Sequence, residues 1–168
     1  LIARGKATGP WRLILRDPAG ETGIADVRGL SPAGQLEVKP ADNQIQEDTI
    51  IASWNGSARL VVKGAPADFR QQVEDGQVLE VVYKVIEADV RQASLAMGQG
   101  AVDITAQVNG KTAEGWQTSR IRLSCFANQG AQMSSLAEPL IIFADGTLKL
   151  QITSARLITF AGAAACDE

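Results

Sequence analysis

The chain contains no histidine. That absence excludes Ser-His-Asp and Cys-His nucleophilic catalysis, histidine metal triads and histidine-based pH switching. Cysteine is scarce too. Cys125 and Cys166 are the whole supply, too few for a four-thiolate zinc site and enough for at most one internal disulfide. Positive charge is not in excess: 16 Lys and Arg face 19 Asp and Glu, a formal net charge of -3. The phosphate neutralisation that drives nucleic-acid binding therefore has no source, and no nucleic-acid partner is expected. No run of about 18 apolar residues occurs, so no membrane-spanning helix is expected. Helical signal is poor as well. The stretch 68–74 has room for two turns and 132–136 for one, and neither can carry a long apolar stripe.

What is present is strand. The 168 residues with 45% apolar content fit a single domain around one core. Segments 11–17, 35–39, 50–54, 59–63, 78–86, 94–97, 102–105, 117–125, 140–143 and 147–153 read as strands, with the cleanest apolar-polar alternation in Thr147-Leu148-Lys149-Leu150-Gln151-Ile152-Thr153. Asp17-Pro18-Ala19-Gly20, Asn55-Gly56 and Ala144-Asp145-Gly146 are turn signals, and Asn55-Gly56 predicts a tight hairpin pairing 50–54 with 59–63. Residues 20–31, rich in glycine and charge, read as a long loop. Many short strands with almost no helix predict an all-β fold of two packed antiparallel sheets or a barrel. The core is expected to span about 10–158, and the Ala-Gly tail over 161–168 is expected to be flexible.

Alternation also assigns faces. Leu148, Leu150 and Ile152 oppose Lys149, Gln151 and Thr153; Ile121 and Leu123 oppose Arg120 and Arg122; Leu79, Val81, Tyr83 and Val85 oppose Glu80 and Lys84. One sheet thus has a polar outer face. Its plainest reading is a solvated surface. Its sharper reading is a sugar platform of Trp116, Arg120, Arg122 and Gln151, because an indole offers an apolar ring face and the guanidinium and amide groups offer hydrogen bonds at its rim. The platform requires an unbroken strand from Trp116 to Arg122. One bulge would turn Trp116 into the core, where Trp11 and Trp54 are also expected.

Several local patterns fall short of chemistry. Gly110-Lys111-Thr112 lacks the first glycine of a phosphate loop, since Thr105 stands there. Gly98-Gln99-Gly100 lacks the third glycine of a dinucleotide fingerprint. Asn55-Gly56-Ser57 matches a glycosylation acceptor, but the proposed turn explains it equally. The adjacent carboxylates Glu47 with Asp48 and Glu74 with Asp75 point to opposite sides of an extended chain and form no acid/base pair. Calcium-loop spacing is missing. No catalytic residue, metal ligand or cofactor is assigned.

A series of segments nevertheless has a family character: Gln46-Glu47-Asp48, Ser53-Trp54-Asn55-Gly56-Ser57-Ala58, Leu95-Ala96-Met97-Gly98, Gly115-Trp116-Gln117-Thr118, Leu123-Ser124-Cys125-Phe126, Gly130-Ala131-Gln132-Met133-Ser134 and Gly146-Thr147-Leu148-Lys149-Leu150 running on to Ala155-Arg156-Leu157. In this order and spacing the chain, over about 10–157, resembles the galactose-binding-like C-terminal domain of ExoP-type exo-β-glucan glucohydrolases, bacterial enzymes of glycoside hydrolase family three. The resemblance implies a jelly-roll β-sandwich. It implies that this chain is the C-terminal domain of a longer periplasmic or secreted β-glucosidase whose nucleophilic Asp and acid Glu lie in upstream domains. The partners it implies are those catalytic domains and, on the platform, a β-glucan oligosaccharide. Many family members carry a cysteine in the loop after the Met-Gly segment; here that loop reads Gly98-Gln99-Gly100-Ala101. Two roles follow: a non-catalytic accessory domain that docks on the catalytic unit and shapes the substrate entrance, or a carbohydrate-binding module.

Overall fold

The computed structural model describes residues 1–24, 27–41, 49–110, 112, 114–166. Among them run eleven strands: β1 (Ile2–Ala3), β2 (Lys6–Ala7), β3 (Arg12–Asp17), β4 (Gly20–Ile24), β5 (Gly29–Leu30), β6 (Leu36–Pro40), β7 (Ile50–Lys63), β8 (Gln77–Met97), β9 (Gly100–Asp103), β10 (Trp116–Arg122) and β11 (Leu140–Thr159). Three short helices interrupt them: α1 (Arg70–Glu74), α2 (Thr105–Asn109) and α3 (Leu123–Asn128). The fold is all-β, antiparallel and galactose-binding-like. Its strands join in the order β10-β8-β11-β7-β3-β4, with β6 added to β7 and β9 to β8. The two layers anticipated from alternation are halves of one continuous curled sheet.

Three long strands make this possible. β7, β8 and β11 each run through both halves, and they bend where Gly56 faces Gly146 and Gly146 faces Val90. Both glycines have positive φ, 121° and 132°. A Cβ on Gly146 would stand 2.6 Å from the Asp89 carbonyl oxygen, closer than any side chain tolerates. The turn signals at Asn55-Gly56 and Asp145-Gly146 therefore do not reverse the chain. The 50–54 and 59–63 segments are one strand, not a hairpin, and they pair with β11 instead of with each other. The same backbone freedom that suits a hairpin turn here lets a strand fold over. The bend's own donors are satisfied by Gln35: its carbonyl accepts from Asn55 N–H (2.8 Å) and its Oε1 from Ser57 N–H (2.7 Å).

The inward faces of the two halves share one core. Val81, Tyr83, Leu150 and Ile152 of one half meet Leu95 and Ile142 of the other, with Ile104 and Val108 closing the side. Several boundaries differ from the sequence expectations. The presumed loop 20–31 opens as β4, paired residue for residue with β3. The strand expected over 117–125 ends at Arg122 and turns into α3. The single turn expected at 132–136 is present, with Ser135 N–H donating to the Gln132 carbonyl (3.2 Å), and the chain leaves it through Leu136, which bridges Ala67. Helix α2, unsigned by any periodicity, is pinned to β8 by Asn109, whose Nδ2 donates to the Val90 carbonyl (3.0 Å) and whose Oδ1 accepts from Val90 N–H (3.2 Å). Gly98 and Gln99 make the β8–β9 hairpin. The Glu47–Asp48 pair and Lys111 lie outside the described residues.

Candidate functional site

Strand β10 lies at one end of the strand order and pairs with β8 without a break from Trp116 to Arg122. The parity that buries Ile121 thus sends Trp116, Thr118, Arg120 and Arg122 outward. Trp116 is 46% exposed. Register places it opposite Lys84, Lys84 opposite Gln151, Gln151 opposite Ile51, and Ile51 opposite Lys39. At about 4.8 Å per strand this row of five runs about 19 Å across the sheet. Ile86, the extra residue of a bulge in β8, adds a second exposed apolar group, 40% accessible, two positions from Lys84. Gln151 Nε2 donates to Thr49 Oγ1 (2.8 Å), which fixes the amide. Among the described residues neither Lys84 nor Lys39 has an ion-pair partner.

The four residues singled out from sequence do not form one cluster. Trp116 and Gln151 share the row, two strands apart with Lys84 between them. Arg120 lies about 13 Å along β10 from Trp116, and Arg122 about 20 Å. Both arginines are committed to the fold. Arg120 Nε donates to Glu80 Oε2 (2.8 Å), and its guanidinium lies 4.5 Å from the Phe160 ring centroid. Arg122 donates from Nη1 to the carbonyls of Gly76 and Phe160 (both 2.7 Å) and from Nη2 to that of Gly162 (2.8 Å). The residue that sequence reasoning left out of the platform is Lys84. Its outward parity was legible, but its place between Trp116 and Gln151 depends on a register that no single segment encodes.

These arginines hold the tail that composition suggested would fray. Ala165 N–H donates to the Arg120 carbonyl (2.9 Å), Ala165 bridges Ile121, and Cys166 is disulfide-bonded to Cys125. The tail up to Cys166 thereby covers part of the outer edge of β10, an edge that would otherwise offer unpaired backbone groups.

Glu80 anchors the same end. It is 3% exposed and is gripped from both neighbouring strands, by Arg120 and by Arg156 Nε (2.8 Å). Burial pushes its carboxyl up, but hydrogen bonds from Arg156 and Arg120 and their charges outweigh this and hold it below the ordinary 4.5. The unfolded chain thus binds a proton more readily than the native one, so Glu80 stabilises the fold above pH 4.5 and loses that contribution as pH falls through its lowered native value. The urea midpoint is expected to drop as pH falls below 4.5, and Glu80→Gln is expected to flatten that acid limb. An unchanged limb in the variant would remove Glu80 from this role.

Among the described residues no group of three or more Cys, Asp or Glu side chains is placed to hold a metal. Glu74 closes α1 and Asp75 caps it, so these two carboxylates sit at a helix end and not on the extended chain expected; Asp75 Oδ1 accepts from Gln71 Nε2 (2.9 Å).

The Exop_C family, described as galactose-binding domain-like, matches residues 9–157. The chain belongs to this family. Solved structures agree on the shape. The extra C-terminal domain (X) of the exo-1,3/1,4-β-glucanase ExoP from a Pseudoalteromonas species superposes with a TM-score of 0.78 at 19% identity, over 95% of this chain and 91% of that one. The whole ExoP enzyme matches with a TM-score of 0.77 at 18% identity, and there the chain spans 95% of itself but 20% of the enzyme. A family 30 carbohydrate-binding module matches with a TM-score of 0.60 at 12% identity, over 98% of this chain and 90% of the module. At these identities the likeness is one of fold. No curated protein sequence matches the chain. Within this Exop_C domain, no helix among the described residues is long and apolar enough to cross a membrane.

Proposed function

We propose that the domain is a non-catalytic accessory module of a bacterial family-three β-glucan hydrolase, and that it contacts β-glucan through the Trp116–Lys84–Gln151 row. One observation carries this reading: a large indole is exposed at the end of a polar row on an outward face. An isolated exposed hydrophobic residue is ordinary. An indole in line with a fixed amide and an ammonium group across about 10 Å supplies the stacking surface and the rim donors that a pyranose chain needs. Membership of Exop_C and the fold shared with carbohydrate-binding modules support the reading. The reacting carboxylates belong to other domains of the same polypeptide, and a periplasmic or secreted setting suits the disulfide.

Affinity electrophoresis through a gel containing mixed-linkage β-1,3/1,4-glucan tests it. The native domain is expected to be retarded and Trp116→Ala to lose most of that retardation. Because Trp116 is exposed, the variant should keep its stability to within about 0.5 kcal/mol. Unchanged retardation, or a collapse in stability, contradicts the platform.

A second reading, docking on the catalytic domains to shape the substrate entrance, is favoured by the other half of the sheet. Ile14, Val61, Ile141 and Ala96 line up across four strands on the outward side. Beside this row Arg16 holds Glu138 (3.0 and 2.7 Å) and Arg59 lies 4.6 Å from the Phe143 ring centroid. An apolar strip under long polar side chains suits a moderately polar interdomain contact.

A further inference from the structure

We propose that the Trp116 face selects β-1,4-linked runs of glucan over β-1,3-linked ones, with one glucosyl ring over each of the strands β10, β8 and β11. The inference rests on the glucan-contact reading above, and adds to it a linkage and two rims.

Trp116 is the register partner of Lys84, and Lys84 of Gln151. Their side chains stand on one line across three adjacent strands, stepped by about 4.8 Å. A β-1,4-linked glucan is a straight ribbon. Each ring is turned over relative to the last, and the chain advances by nearly the same step as the strands. One ring therefore rests its C–H face on the indole, and the next two lie over Lys84 and over the Gln151 amide that Thr49 fixes. A β-1,3 linkage turns the chain aside at each ring, so a ring seated on Trp116 leads its neighbours off the row.

The flanks of the row point the same way. The outward parity returns about 7 Å along the strands on either side. On one side it brings Thr118, Val82 and Ser154, again register partners. On the other, past the bulge at Ile86, it brings the partners Glu87 and Lys149. Thr118 and Glu87 are exposed, Ser154 and Lys149 partly so. Among the described residues neither Glu87 nor Lys149 is tied up in an ion pair. Hydroxyls thus border the row on one side, and a carboxylate with an ammonium on the other. Because its rings alternate in orientation, a β-1,4 ribbon carries hydroxyls along both edges and meets both rims. A β-1,3 chain spends its O3 hydroxyls on the linkages, and its curvature carries the second and third rings away from one rim. Selection arises from the contacts that the wrong linkage forfeits.

Calorimetric titration of the chain with cellotetraose, laminaritetraose and cellobiose tests this. Cellotetraose is expected to bind saturably, at least tenfold more tightly than laminaritetraose and also more tightly than cellobiose, which is too short to cover three strands. Lys149→Met keeps the side-chain stem and removes the donors. It should weaken cellotetraose at least threefold at an unchanged melting curve. Equal affinity for the two tetraoses, both lost in Trp116→Ala, overturns linkage selection while the platform stands. Binding of neither, or binding indifferent to Trp116→Ala, removes the platform and this inference with it. Indifference of cellotetraose to Lys149→Met overturns the rim.

Discussion

Trp54→Ala is expected to destabilise the domain by about 3–5 kcal/mol, the cost of emptying a fully buried Trp site. Trp54 is 2% exposed and lies in β7 just before the bend at Gly56. Its Nε1–H donates to the Ala58 carbonyl (3.0 Å), just after that bend. One side chain therefore fills the core and staples the strand where it passes from one half of the sheet to the other. Alanine leaves a cavity and a buried carbonyl without its donor. For a domain of this size the melting temperature should fall on the order of 10 °C. Trp54→Phe separates the two effects. It keeps most of the apolar area and loses the staple, so a smaller drop of about 1–3 kcal/mol is expected. Equal losses in both variants would assign the whole effect to the hydrogen bond, and no loss in either would contradict the bend as described.

Cys166→Ser is expected to cost about 4 kcal/mol on chain-entropy grounds, since the disulfide closes a loop with a sequence separation of 41. Beyond this global loss, a local one is expected. The tail that Cys166 holds lies along β10, so hydrogen exchange at Ala165 and Arg122, whose backbone amides bond across that edge, should accelerate strongly. Exchange at the β7–β11 pairing should change only through global stability. Arg122 still bonds the carbonyls of Phe160 and Gly162, and this should keep the first part of the tail near its native place. Equal acceleration throughout the sheet, or none at Ala165, would show that the disulfide is not what fixes the tail.

Much of this architecture was legible where the signal was local. Strict alternation from Thr147 to Thr153 gave a strand and its buried face, and Gln117 to Arg122 gave the outward parity of the arginines. What misled was glycine chemistry. Asn55-Gly56 and Asp145-Gly146 announce positive φ, and sequence cannot say whether that freedom reverses a strand or bends it. The distinction lies in partners far along the chain, for Gly56 meets Gly146. Bulges at Ile86 and Arg91 likewise hid the length of β8, which alternation broke into separate pieces. Helices α2 and α3 are too short to show a period. The Ala-Gly tail has no composition of its own to hold it; Cys125, Arg120 and Arg122 do so from a distance. In the candidate site, side-chain direction could be read strand by strand. The row that links Trp116 to Lys84 and Gln151 required the register of three strands that are not consecutive.

The claim that this domain contacts glucan through one sheet face and performs no chemistry on it can be tested by titrating the isotope-labelled chain with a mixed-linkage β-glucan tetrasaccharide while following backbone amide shifts. Saturable changes are expected at Trp116, Thr118, Lys84 and Gln151, with little change at Ile14, Val61 and Ile141 and an intact tetrasaccharide at the end. Shifts centred on the other face, no shifts at all, or released glucose would contradict it.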